Sequence, residues 1–128
     1  MMKIAIIILI SILILSGCSK EVSELNYKQI STEAAITMMT EETNYIILDV
    51  RTAEEYAAGH IKDAINIPNE TIGDEEISEL PDKNQLIMVY CRSGNRSKQA
   101  SQKLTNLGYT NIVEFGGINT WTGEIVTE

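Results

Sequence analysis

Strands and helices alternate along this chain, an order that predicts an α/β domain built on a parallel sheet. Three observations carry the prediction. Tyr45–Val50, Leu86–Tyr90 and Asn111–Phe115 are apolar runs that read as buried strands. Thr52-Ala53-Glu54-Glu55, after the first run, has the form of a capping box that opens a helix. After the second run, a helical pattern over Ser97–Leu107 ends at Gly108, a fitting C′ residue.

The elements follow in order. Asn26–Ile30 reads as a short first strand, and Ser31 or Thr32 caps a helix whose apolar positions are Ala35, Ile36 and Met39. The strand at Tyr45–Val50 ends on the charged pair Asp49/Arg51, and the helix opened by Thr52 stops at Gly59. Ala64–Ile67 is a further strand, ended by Pro68. Residues 69–84 are acidic and irregular, broken by Gly73 and Pro81 into one or two helical turns. After the last strand come Gly116-Gly117 and a short turn around Trp121.

The first residues lie outside this domain. Lys3 is a short basic start, and Ile4–Leu15 is apolar apart from Ser11. Such a run spans roughly 18 Å as a helix, short of the roughly 30 Å hydrocarbon core, and reads as a signal peptide's hydrophobic segment. It ends in Leu15-Ser16-Gly17-Cys18, which resembles the bacterial lipoprotein signal. That resemblance implies cleavage before Cys18, lipid on its sulfur, and a protein held to the cell membrane on the extracytoplasmic side. Residues 1–17 are then the signal peptide, 18–25 the lipidated N-terminus and tether, and 26–128 one domain. The net charge of −8 argues against nucleic acid and against charge-driven binding to an anionic membrane, so contact with the membrane falls to the lipid.

The chain has two cysteines, and lipid on Cys18 leaves Cys91 without an intrachain partner. A lone thiol in an exported protein is either intermolecular or reactive. One histidine and one free cysteine do not make a zinc site of the usual kind, and no cofactor is expected. Cys91-Arg92-Ser93-Gly94-Asn95-Arg96-Ser97 stands where a strand turns into a helix, with Gly94 supplying a tight bend. Helix dipole and guanidinium charge favour a thiolate there, and converging backbone N–H groups make an anion cradle. Cys91 is the candidate nucleophile. Arg92, Ser93, Gly94, Asn95, Arg96 and Ser97 are the candidate anion-binding residues.

The three arginines are Arg51, Arg92 and Arg96, and arginine suits planar recognition of oxyanions and carboxylates. Arg51, close to Asp49, Glu54 and Glu55, is expected to make an ion pair at the strand–helix junction. Arg96 has no acidic residue near it in sequence and is expected to serve the loop. His60 invites a Cys–His pair, but its expected role is a hydrogen bond that holds the turn before Ile61.

Four ordered motifs resemble the rhodanese domains. Leu48-Asp49-Val50-Arg51, Glu55-Tyr56-Ala57-Ala58-Gly59-His60-Ile61 and Ala64-Ile65-Asn66-Ile67-Pro68 are similar to the N-terminal signature of that family. Tyr90 to Ser97 resembles the active loop of single-domain thiosulfate sulfurtransferases, and Gly116-Gly117-Ile118-Asn119-Thr120-Trp121 resembles the closing motif. The resemblance implies a parallel five-stranded sheet with helices on both faces. It implies that Cys91 cycles between thiolate and persulfide, taking sulfane sulfur from thiosulfate or polysulfide and giving it to cyanide or to a thiol, a protein thiol included. Asp49, Arg51, Glu55 and His60 carry over as structural support.

Other uses of such a loop stay open at this point. One is a carrier or interaction module that holds sulfide or persulfide without turnover; another is phosphatase or arsenate reductase chemistry. Phosphatase loops enclose one residue more between cysteine and arginine, a ring that fits a tetrahedral phosphate. Here only Arg92 to Asn95 separate Cys91 from Arg96, and a smaller loop suits a sulfur atom.

Overall fold

Alternation of side chains along the central strands sorts the core into two layers. Our computed structural model of the protein describes residues 26–128; the expected signal peptide, Cys18 and the tether lie outside them. Strands β1 (Lys28–Gln29), β2 (Tyr45–Asp49), β4 (Ile65–Asn66), β5 (Leu86–Cys91) and β6 (Ile112–Gly117) form one sheet in the order β1-β6-β5-β2-β4. Every pairing in it is parallel. Along β5, Ile87, Val89 and Cys91 face one core with Ala100 and Leu104 of helix α3 (Asn95–Asn106). Met88 and Tyr90 face the other, with Ala35 of α1 (Thr32–Glu41) and Tyr56 of α2 (Ala53–Ala58). Helices therefore cover both faces, as parallel strands require.

Local signals set the helix starts. Ser31 accepts from Ala34 N–H at 3.1 Å, and Thr52 with Glu55 completes the capping box. Two features depart from the sequence reading. Helix α3 begins at Asn95 rather than Ser97, because Gly94 takes the N-cap position at φ +109° and frees the first turn to start early. A small antiparallel pair, β3 (His60–Ile61) with β7 (Ile125–Val126), closes the chain end onto the domain; two-residue strands leave no periodic signal.

A buried network centred on the Asp49–Arg51 ion pair ties the carboxyl ends of β2 and β5 together through Tyr90. Asp49 is fully buried and accepts from Arg51 Nη2 at 2.7 Å, from Arg51 N–H at 2.9 Å and from Tyr90 Oη at 2.7 Å. Arg51 Nη2 also donates to the Gly59 carbonyl at 2.7 Å, and Tyr90 Oη accepts from Ile61 N–H at 3.1 Å. Asn66 Nδ2 adds β4 by donating to the carbonyls of Asp49 and Arg51. Burial, then the bond to Asp49, holds the Tyr90 phenol far above its usual pKa.

Tyr90→Phe is expected to lower stability by about 1–3 kcal/mol in urea denaturation, since it strips one bond from a buried carboxylate and leaves the Ile61 N–H unpaired. An unchanged midpoint and slope would contradict this role.

Candidate active site

Cys91 is the last residue of β5, at the carboxyl end of the sheet where α/β folds place their sites. The loop Arg92-Ser93-Gly94 turns directly into α3, so the positive end of the helix dipole points back at the sulfur. Gly94 N–H donates to Cys91 Sγ at 3.0 Å, and Ser97 Oγ lies 3.4 Å from it. The left-handed Gly94 backbone turns that N–H inward. Burial pushes the Cys91 thiol pKa up. The Ser97 hydroxyl and the N–H groups of Ser97, Gly94 and Ser93 outweigh burial, and the pKa lies below the ordinary thiol value. The sulfur is recessed: Cys91 is only 1 % exposed.

The far wall is an irregularity in β6. Val89 pairs with Glu114 but Cys91 pairs with Gly117, so β6 carries an extra residue opposite the Cys91 end of β5. Gly116 takes φ +88° within this bulge, and its N–H donates to Glu114 Oε1 at 2.8 Å. At Gly117 the loop backbone passes so close that a Cβ would sit 1.9 Å from the Arg92 carbonyl oxygen. The Gly116-Gly117 pair thus lets β6 close against the loop.

The arginines divide their work. Arg96 grips Glu55 with both terminal nitrogens, at 2.6 and 3.0 Å, across 41 positions of sequence. No acidic residue lies near Arg96 in sequence; folding supplies one, because the capping box of α2 packs its glutamate against the first turn of α3. The Arg96 pKa is raised, chiefly by Glu55, against a lowering by burial; the Cys91 charge acts in the same direction as Glu55. Arg92 and Asn95 are exposed with Ser93 at the mouth of the loop, and Arg92 makes no ion pair among the described residues. Arg92 is therefore the loop guanidinium whose charge is not spent on a carboxylate among the described residues.

His60 lies elsewhere. Its ring stacks on Tyr56 at 3.7 Å, and Nδ1 is 2.9 Å from the Tyr56 carbonyl oxygen, which makes Nδ1 the donor. It makes no hydrogen bond to Cys91, whose sulfur is hydrogen-bonded only to Gly94 N–H and Ser97 Oγ among the described residues. No group of three or more histidine, cysteine or acidic residues is placed to hold a metal among the described residues. Sequence reasoning missed Glu114, buried beneath the loop with 2 % exposure. An acid inside an apolar strand, two residues before a Gly-Gly pair, was the available signal.

A parallel α/β domain with one cysteine sulfur held by loop amides defines the class. The rhodanese-like domain family matches residues 31–124. The chain is 39% identical over 71 residues to the thiosulfate sulfurtransferase PspE of Escherichia coli, covering 56% of this chain and 68% of that protein. It is 35% identical to a sulfurtransferase of Allochromatium vinosum, covering 73% of this chain and 86% of the relative. Among solved structures, a rhodanese with anions from E. coli superposes with a TM-score of 0.60 at 34% identity, over 66% of this chain and 99% of that one. A rhodanese-like domain protein from Staphylococcus aureus does so at 0.65 and 34%, over 76% and 93%. This chain belongs to the rhodanese-like domain family of sulfurtransferases.

The bond from Arg96, against the opposing effect of burial, holds the Glu55 carboxyl down at about 2, from an ordinary 4.5. A depressed folded pKa stabilises the protein above the unfolded value, and that contribution is lost as pH falls through the folded one. The stability gap between wild type and Glu55→Gln should therefore narrow as pH falls from about 4.5 toward 2 in thermal melts. A gap that stays constant over that window would contradict the pairing.

Proposed function

We propose that this chain moves sulfane sulfur from thiosulfate or a similar anionic donor to an acceptor through a persulfide on Cys91. The Cys91 thiolate attacks the outer sulfur of thiosulfate; the sulfur–sulfur bond of the donor breaks and sulfite leaves with its electron pair. An acceptor nucleophile, cyanide or a thiol, then attacks the outer sulfur of the persulfide and the thiolate returns. The observation that carries this reading is the 3.0 Å bond from Gly94 N–H to the Cys91 sulfur, whose pKa the N–H groups of Ser97 and Ser93 also lower. Such donors stabilise a thiolate or a terminal persulfide anion, and no proton has to be removed by a base. Exposed Arg92 is suited to drawing in the donor and releasing sulfite. Phosphate-ester chemistry fits less well, because Arg96, the arginine such a loop would turn on the phosphate, is held bidentately by Glu55.

The names of the relatives support the same donor class. PspE is named a thiosulfate sulfurtransferase, and the E. coli rhodanese structure holds anions. With thiosulfate and cyanide, the purified chain is expected to release thiocyanate catalytically, and Cys91→Ser to lose at least about a hundredfold, as expected for removing a nucleophile. Wild type that makes no thiocyanate with thiosulfate or polysulfide would overturn turnover and leave a carrier.

We also propose that the chain is exported and lipid-anchored through Cys18. The basic start, the apolar run to Leu15 and the Leu15-Ser16-Gly17-Cys18 sequence support this setting. Radiolabelled palmitate fed to expressing bacteria should label wild type and not Cys18→Ser. Equal labelling of both would overturn the anchor.

A further inference from the structure

Glu114 is a buried acid without a cation. Its side chain makes no ion pair among the described residues, and its only described partners are Gly116 N–H at 2.8 Å and Ser97 Oγ at 2.7 Å. Buried carboxylates are costly unless paired, so such a residue under a reactive loop calls for a role. Alternation along β6 turns Glu114 to the same face as Ile112, toward α3 and the Cys91 side of the sheet.

Ser97 links the two. Its hydroxyl carries one proton and has four acceptors in reach: Glu114 Oε1 at 2.7 Å, Gly94 O at 2.9 Å, Gly116 O at 3.3 Å and Cys91 Sγ at 3.4 Å. Glu114 Oε1 is the nearest of the four, and a carboxyl oxygen is a stronger acceptor than a thiol sulfur. While Cys91 is a thiol, its S–H donates to Ser97 Oγ and the hydroxyl donates to Glu114. Once the sulfur becomes an anion the direction must reverse, and the hydroxyl has to leave Glu114 to serve Sγ.

We propose that Glu114 is a positioning residue that competes with Cys91 for the single proton of Ser97, so that it favours the thiol while the loop is empty. The hydroxyl is a two-position switch, directed to Glu114 in the thiol state and to the sulfur in the thiolate and persulfide states. No net proton moves within the switch; the thiol proton leaves to solvent as the hydroxyl turns. A sulfur that spends more of its time protonated than the amides alone would allow is slower to oxidise. The charged and titratable groups around the pair are Cys91 from β5, Arg92 in the loop and Arg96 on α3, the latter held by Glu55 and near Glu70. Asp49, Arg51 and Tyr90 form a closed set at the neighbouring strand ends. Glu114 is the acid bonded to the hydroxyl that reaches the sulfur.

This inference rests on the sulfur-transfer reading only for its purpose, because its tests use no sulfur donor. Iodoacetamide alkylation of the Cys91 peptide against pH, read by mass spectrometry, is compared between wild type and Glu114→Gln. Glutamine keeps both acceptor contacts and removes the charge. The midpoint is expected to fall by roughly half to one pH unit, or about three- to tenfold more alkylation at a fixed pH below it. In a Ser97→Ala background the same change is expected to move the midpoint much less. An unchanged or raised midpoint in folded Glu114→Gln protein, or an equal shift without Ser97, overturns the proposal. Wild type supplies a second readout should Glu114→Gln not fold. In protein labelled with carbon-13 at the glutamate carboxyls, the Glu114 resonance should move at the Cys91 alkylation midpoint. A resonance that stays still through that midpoint overturns the switch.

Discussion

The buried carboxylate of Asp49 is the constraint on which the rest of this structure depends. It lies at the end of β2 with no exposure to solvent, and an unpaired charge there would cost several kcal/mol, on the order of 3–5 when one partner of such a pair is removed. Arg51 and Tyr90 satisfy it, and each reaches a second element: Arg51 binds the Gly59 carbonyl after α2, and Tyr90 receives the Ile61 N–H of β3. Tyr90 immediately precedes Cys91. The same network that neutralises Asp49 therefore fixes the strand end from which the Cys91 sulfur projects.

The sulfur's surroundings are built mainly of neutral donors at short range. The Glu55–Arg96 pair pins the first turn of α3 to α2, which places the loop amides, while its charge is largely cancelled internally. Amides and one hydroxyl stabilise an anion there without reorganising. On the other side, the β6 bulge and Gly117 bring backbone against the Arg92 carbonyl, a separation that no side chain at 117 would permit. Rigidity here comes from close backbone contact as much as from side chains.

Much of this was legible in the sequence because it was local. Apolar runs gave the strands of the main sheet, and the capping box at Thr52 and the Gly108 stop marked helix ends in the structure. Cys91 followed by Gly94 at a strand–helix turn foretold an amide cradle. What was not legible is what depends on three-dimensional pairing. Arg96 looked free of acids because its partner lies 41 positions earlier. Glu114 looked like an ordinary strand residue because inward or outward facing in a short apolar run is decided by the bulge and by α3. The two-residue strands β3 and β7 exist only through each other.

The central claim is that the amide-held sulfur of Cys91 accepts one sulfur atom from an anionic donor. A single-turnover experiment tests it most directly: reduced protein is mixed with thiosulfate without any acceptor, and intact mass, peptide maps and sulfite are measured together. The account predicts a gain of one sulfur atom on the Cys91 peptide, matched by one equivalent of sulfite and reversed on adding cyanide. No added sulfur, or sulfur added anywhere but Cys91, would contradict it.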